Sequence, residues 1–140
     1  MKPAFVLDVS ACMPWCCEDE TTRGSEETFD WAIRGSELHI PSLWLWEIMN
    51  VVSVTVKRQR ITADRAKDFL VQLGTFNFQI DPPPSVKDLP RLQLLAESHK
   101  LTAYDAAYLD LAMRLSLPIA TGDGDLRKAA AAESVELLAQ

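Results

Sequence analysis

Histidine and cysteine are scarce in this chain, and basic charge is in the minority. The 140 residues hold two histidines, His39 and His99, and three cysteines, Cys12, Cys16 and Cys17. Zinc sites draw on spaced Cys and His pairs, and no such spacing is present. An odd number of cysteines, two of them adjacent, gives no disulfide framework either; they read as small apolar residues in a reducing cytosol. Fourteen Lys and Arg stand against twenty Asp and Glu, a net charge of −6. That balance argues against a polyanionic partner, because phosphate binding relies on basic side chains, unless several of the acids hold metal ions. The longest nearly uncharged run, Ile40 to Val56, has seventeen residues and one charge, Glu47. A membrane span needs about twenty apolar residues, and this run also contains Pro41, Asn50 and several hydroxyls, so it reads as a buried helix. Residues 1–7 have neither the length nor the flanks of a signal peptide, which places the protein in the cytoplasm. No repeat, low-complexity tract or linker divides the chain, and its length suits one domain, 1–140, with a real core.

What is present alternates between short apolar runs and helical patterns. Ala4-Phe5-Val6-Leu7 fits a central strand that stops at Asp8. A helix begins near Ser10 and fades into an acidic loop, Glu18 to Gly24. Ser25 is placed to cap a helix carrying Phe29, Ala32 and Ile33, with Gly35 as its stop. Leu38-His39-Ile40 is a second strand, and the apolar helix follows. Lys57, Arg58 and Arg60 end that helix in accord with its dipole. Thr62 caps the next, with Ala66, Phe69, Leu70 and Leu73 inward and Gly74 as terminator. Phe76, Phe78 and Ile80 alternate as a third strand. Asp81 and three prolines impose an extended loop, and Pro90 opens a helix with Leu92, Leu95 and Ala96. Thr102, with Asp105 three residues on, caps a helix from Ala103 whose apolar face is Tyr104, Ala107, Tyr108, Leu111, Ala112 and Leu115. Pro118 stops it. Pro-Ile-Ala-Thr is a fourth strand, Gly122-Asp123-Gly124-Asp125 a turn, Leu126 to Ala130 a helix, and Val135 to Leu138 a fifth strand. Trp15, Trp31, Trp44 and Trp46 read chiefly as core.

Five strands separated by helices indicate a parallel α/β sheet with helices on both faces. Right-handed crossovers then gather the C-terminal ends of the strands on one edge. Asp8 and Asp123 follow strand ends, Glu47 lies near the start of the helix after the second strand, and Asp105 is in the first turn of the helix feeding the fourth. All four converge on that edge. Glu47 sits among Leu43, Trp44, Asn50 and Val51, where a lone carboxylate is costly unless an arginine or a cation meets it. Four gathered carboxylates repel one another unless a cation offsets their charge. Oxygen ligation without histidine or cysteine favours Mg²⁺ or Mn²⁺, ions suited to phosphodiester hydrolysis.

These residues resemble a known family. Val6-Leu7-Asp8-Val9-Ser10, the stretch from Pro41 through Glu47 to Asn50, Leu101 to Ala112 with its Tyr-Asp-Ala-Ala-Tyr-Leu, and Ala120-Thr121-x-Asp123-x-Asp125-Leu126 are similar to the motifs of the PIN domain. More narrowly they resemble the VapC-type ribonuclease toxins of toxin–antitoxin pairs. The resemblance implies a three-layer α/β/α fold, Mg²⁺- or Mn²⁺-dependent endoribonuclease activity, a homodimer, and a cognate antitoxin that covers the active site. Carried over, Asp8, Glu47, Asp105 and Asp123 match the acidic quartet that binds metal, Ser10 and Thr121 its supporting hydroxyls, and Asn50 a position three residues after the glutamate. Val9 stands where Ala is the commoner residue.

The expected chemistry has Asp8 and Asp123 on the principal metal, Glu47 and Asp105 completing or water-bridging its shell, and a water attacking the phosphate in line to leave a 5′-phosphate product. Asp125 reads either as the N-cap of the helix from Leu126 or as a further acid. Lys57, Arg58, Arg60 and Lys67 are the densest basic cluster, read either as an RNA contact or as a solvated helix end. Two other classes stay open: an idle PIN-like binding module, and a metal-dependent phosphohydrolase of small phosphate esters. Ser10 at the second position after Asp8 removes the Asp-x-Asp that one large phosphatase superfamily needs.

Overall fold

A computed structural model describes residues 2–140; Met1, the first residue of the segment weighed as a signal peptide, lies outside them. The first strand, β1 (Phe5–Leu7), has no polar residue to show to water, and all three side chains are fully buried. Such a strand can sit only between two others. It pairs in parallel with β2 (Leu38–Pro41) on one side and with β4 (Ile119–Ala120) on the other. Beyond β2 lies β3 (Phe78–Asp81), again parallel, so the order across the sheet is β3-β2-β1-β4. The chain thus builds outward from β1 through β2 to β3, then returns to the far side of β1. Between β1 and β4 the direction of winding reverses, and such a switch point opens a crevice beyond the strand ends.

Helices connect the strands. The short α1 (Val9–Cys12) runs on through two 3₁₀ turns, and α2 (Arg23–Ile33) follows. Next come α3 (Trp44–Lys57) and α4 (Ala63–Leu73), between β2 and β3. Then α5 (Leu89–Ser98) and α6 (Ala103–Leu115) lead back to β4, after which α7 (Gly124–Ala132) closes the chain. The core joins the sheet to α3, α4 and α6 through Phe5, Leu38, Ile40, Trp44, Phe69, Tyr108, Leu109 and Leu111. No helix among the described residues is long and apolar enough to cross a membrane. The three cysteines are free and buried.

The sheet has four strands, where five are expected from the sequence. Val135 to Leu138 meets the sheet at a single parallel bridge, Ile119 to Leu137, with backbone bonds from Ile119 to Glu136 and from Leu138 to Ile119. Its partner β4 is two residues long, preceded by Pro118, which offers no N–H, and followed by the turn into α7. A ladder has nowhere to extend. Several boundaries also move. Thr22, not Ser25, caps α2; Ser25 is the third helical residue and returns the bond, its hydroxyl accepting from the Thr22 N–H. Leu38-His39-Ile40 is a strand as expected, extended to Pro41, so the apolar helix starts only at Trp44, and β3 begins at Phe78, not Phe76. Thr62 and Thr102 cap α4 and α6 as the sequence predicts, and Gly35 at φ +94° ends α2. Tyr104 and Leu115, expected on the inward face of α6, are exposed, as are Ile33, Leu70 and Trp46.

Candidate active site

The crevice beside the switch point is built from two strand ends. Immediately after β1, Asp8 is buried, and its Oδ2 accepts two hydroxyls, Ser10 Oγ at 2.6 Å and Thr121 Oγ1 at 2.7 Å. Thr121 follows β4, so this hydrogen bond ties the ends of β1 and β4 together. The same two hydroxyl oxygens accept from the loop beyond: the Gly122 N–H donates to Ser10 Oγ at 2.9 Å and the Asp123 N–H to Thr121 Oγ1 at 3.0 Å. Asp123 then caps α7, its Oδ1 accepting from the Leu126 N–H at 2.9 Å. The cap is Asp123 and not Asp125, because α7 starts at Gly124; Asp125 is exposed in the first turn. A carboxylate at a helix N-terminus also meets the positive end of the dipole.

The other two acids come from the helices that flank the crevice. Glu47 is in the first turn of α3, half-buried, and its Oε1 accepts from the Tyr108 hydroxyl at 2.6 Å. Asp105 is in the first turn of α6, where its N–H donates to Thr102 Oγ1 at 3.1 Å. Burial pushes the Asp105 carboxyl up to about 6, and the charges of Asp123, Asp8 and Glu47 push it the same way. Glu47 is raised as well, chiefly by burial and in part by Asp8, with the Tyr108 hydrogen bond acting against them. The four acids therefore feel one another's charge. Among the described residues none of them pairs with a Lys or Arg.

Three of the four share a design. Asp8, Glu47 and Asp123 each spend one carboxylate oxygen on a protein donor and keep the other free. Bonds of this kind orient a metal ligand and raise its basicity. The donor set, all oxygen and without a counter-charge, fits a hard divalent cation held by Asp8, Asp123, Glu47 and Asp105. Among the described residues the one set of three potential ligand atoms lying within 4.8 Å of one another is Cys17, Asp19 and Glu20, and there Arg60 already bonds Asp19 and Glu20. The quartet stands wider, as like charges do, so a cation would draw its members together or reach some of them through water.

Compared with known proteins, residues 5–132 match the PIN domain, nearly the full length. The chain belongs to the PIN domain family. As a PIN domain it is similar to ribonuclease VapC3 of Pyrobaculum aerophilum, at 28% identity over 122 residues, 87% of this chain and 91% of that protein. Its fold is shared with PAE2754 from the same organism, at a TM-score of 0.70 and 22% identity over 92% of this chain and 81% of that one. FitAcB from Neisseria gonorrhoeae superposes at a TM-score of 0.64 with 14% identity, over 96% of each chain.

The remaining residues singled out from the sequence are placed elsewhere on the PIN domain. Asn50 is exposed on α3, one turn past Glu47. Lys57 ends that helix, ten residues beyond Glu47 and so about 15 Å along the axis. Arg58 and Arg60 follow it, and Lys67 lies on α4. Arg60 is held by both Asp19 and Glu20 at 3.0 Å. Sequence reasoning missed two residues that touch the crevice. Tyr108 occupies an apolar position of α6, the pattern of a core residue, though the three-residue step from Asp105 puts both on one helix face. Arg127 donates from Nη1 to the Thr121 carbonyl at 2.9 Å and to the Leu138 carbonyl at 3.3 Å, bracing the β4 end against the C-terminal segment.

Proposed function

We propose that this PIN domain is a Mg²⁺- or Mn²⁺-dependent endoribonuclease, the toxin of a toxin–antitoxin pair. One observation carries the reading: four carboxylates flank the switch point of the sheet with no basic side chain to balance them, and burial, joined by their mutual repulsion, raises Asp105 to about 6. A site that crowds negative charge without a partner is built for a cation. The similarity to a VapC ribonuclease supports RNA as the polymer that is cut.

Asp8, Asp123, Glu47 and Asp105 would hold the cation, whose chemistry is to polarise the scissile phosphate and make a nearby water a better nucleophile. Asp8 and Asp123 follow two strand ends tied together by the Thr121 hydroxyl, and each has one carboxylate oxygen without a protein donor. Ser10 and Thr121, donating to Asp8, keep that carboxylate from turning. Asp105, whose carboxyl is raised by burial and by its acidic neighbours, would take the proton that the attacking water gives up. In-line attack releases the 3′-oxygen and leaves a 5′-phosphate. A cytoplasmic setting belongs to the reading, together with a homodimer and a cognate antitoxin over the crevice, the last two resting on the resemblance of the motifs.

The test is cleavage of total cellular RNA by purified protein with Mn²⁺ or Mg²⁺, compared with EDTA and with Asp8→Asn. Metal-dependent cuts that disappear in the variant are expected, with its fold retained because a repulsive charge has been removed. Full activity of Asp8→Asn would sink the assignment.

A further inference from the structure

We infer that Tyr108 is a positioning residue: it holds Glu47 in place for the divalent cation and so lets the site prefer magnesium to the larger calcium. The inference rests on the cation-binding reading above and extends it. Glu47 has the longest side chain of the four acids and stands at the start of a helix, where its carboxylate is only half-buried. Left to itself it has three rotatable bonds and open water to turn into. Asp8 and Asp123 are shorter and are fixed from their own strand ends and helix cap.

Among the described residues the Tyr108 hydroxyl is the sole hydrogen-bond partner of the Glu47 carboxylate, and Glu47 the sole partner of that hydroxyl. Tyr108 has no exposed surface, so its ring has no second position to adopt. The direction of the bond is settled too, because a carboxylate offers acceptor oxygens and the phenol carries the hydrogen. The hydroxyl donates. Asp105 and Tyr108 are three residues apart on α6 and face the same way. One turn of one helix therefore carries Asp105 itself and the hydroxyl that fixes Glu47, and the separation of these two acids is set by helix geometry.

A fixed separation matters more to one ion than to another. Magnesium demands nearly ideal octahedral geometry at short distances, whereas calcium accepts irregular shells and longer bonds. Releasing Glu47 should weaken magnesium more than calcium. A Tyr that merely fills the core would leave the ratio alone.

Calorimetric titration with MgCl₂ and with CaCl₂ separates these cases in the wild type, Tyr108→Phe, Glu47→Gln and the double variant. Tyr108→Phe is expected to bind magnesium about tenfold or more weakly, the usual range for loss of an outer-shell partner, and to lose less for calcium. On the Glu47→Gln background, removing the hydroxyl should change nothing further. Glu47→Asp, too short to reach the phenol but still charged, should narrow the magnesium preference in the same way and serves if Tyr108→Phe does not fold. Tyr104→Phe, on the exposed side of α6, is the control for a lost hydroxyl. Unchanged magnesium affinity in folded Tyr108→Phe, or equal losses for the two ions, overturns the inference and leaves cation binding standing. A wild type that binds neither ion overturns both.

Discussion

At Asp105, burial and three neighbouring carboxylates act in one direction, and the result can be read as a stability. Its carboxyl is raised from 3.8 to about 6 in the folded protein. Between those values the unfolded chain has released its proton and the folded chain still holds it. By linkage, the contribution of Asp105 to stability without a divalent cation is fully present below the unfolded value and is lost as pH rises through about 6. Asp105→Asn removes the titrating group, so the wild-type urea midpoint should fall relative to this variant between pH 4 and pH 7, and saturating Mg²⁺ should shrink the gap. A gap that widens towards acid would show a depressed carboxyl instead. Glu47 is raised in the same sense and is coupled to Asp105 by charge, so the comparison reads the pair and not Asp105 alone. At this scale the acids themselves were legible, since carboxylates just past strand ends or in first helical turns need a reason to gather. Tyr108 was not, because an aromatic at helical spacing reads as core whether or not its hydroxyl meets an acid on another helix. The exchange of Asp123 for Asp125 as the α7 cap is a two-residue error of boundary, the least certain part of any helix read from sequence.

The elements themselves follow from local chemistry wherever a cap or a stop names them. Thr62, Thr102, Gly35 and Pro90 mark the ends of helices that the structure forms. What local chemistry cannot supply is the partner of an element, and the missing fifth strand shows it: Val135 to Leu138 has the pattern of a strand and finds only a two-residue neighbour. Asp110 makes the same point, buried on α6: its i,i+4 pair with Arg114 can be read from helical spacing, whereas its pair with Arg91 of α5 is announced by no spacing in the sequence. The C-terminal segment is placed by a different contact. A Cβ at Gly24, in the first turn of α2, would come within 2.3 Å of the Ala139 carbonyl oxygen, and backbone cannot step aside as a flexible side chain can. Gly24→Ala should lift this segment away from α2, which loosens the brace that Arg127 makes between Leu138 and Thr121. A loss of roughly 1–3 kcal/mol in urea titration is expected, the usual cost of overpacking, together with faster hydrogen exchange at the Leu138 amide. Native protection of that amide in the variant would mean that the segment is held from elsewhere.

Taken whole, the molecule carries a net charge of −6 and yet is read as a protein that binds RNA. A long-range field of that sign repels a polyanion, so attraction has to be local: a cation in the crevice and a few basic side chains outside it. The basic cluster beyond α3 is not uniform in this respect. Arg60 already answers Asp19 and Glu20, while Lys57, Arg58 and Lys67 form no ion pair among the described residues. Only an unengaged cation releases counterions from a phosphate backbone on binding, and each such contact with a single strand contributes about 0.7 to the slope of log K against log salt. On the uncleaving Asp8→Asn background, replacing both Lys57 and Arg58 with Gln should therefore weaken RNA binding and flatten that slope by about 1.4. Arg60→Gln should leave the slope as it was and lower affinity by a different route, through the two acids it sets free. Equal slopes in all three proteins would take the cluster out of the RNA path and leave the crevice to hold its substrate through the cation alone.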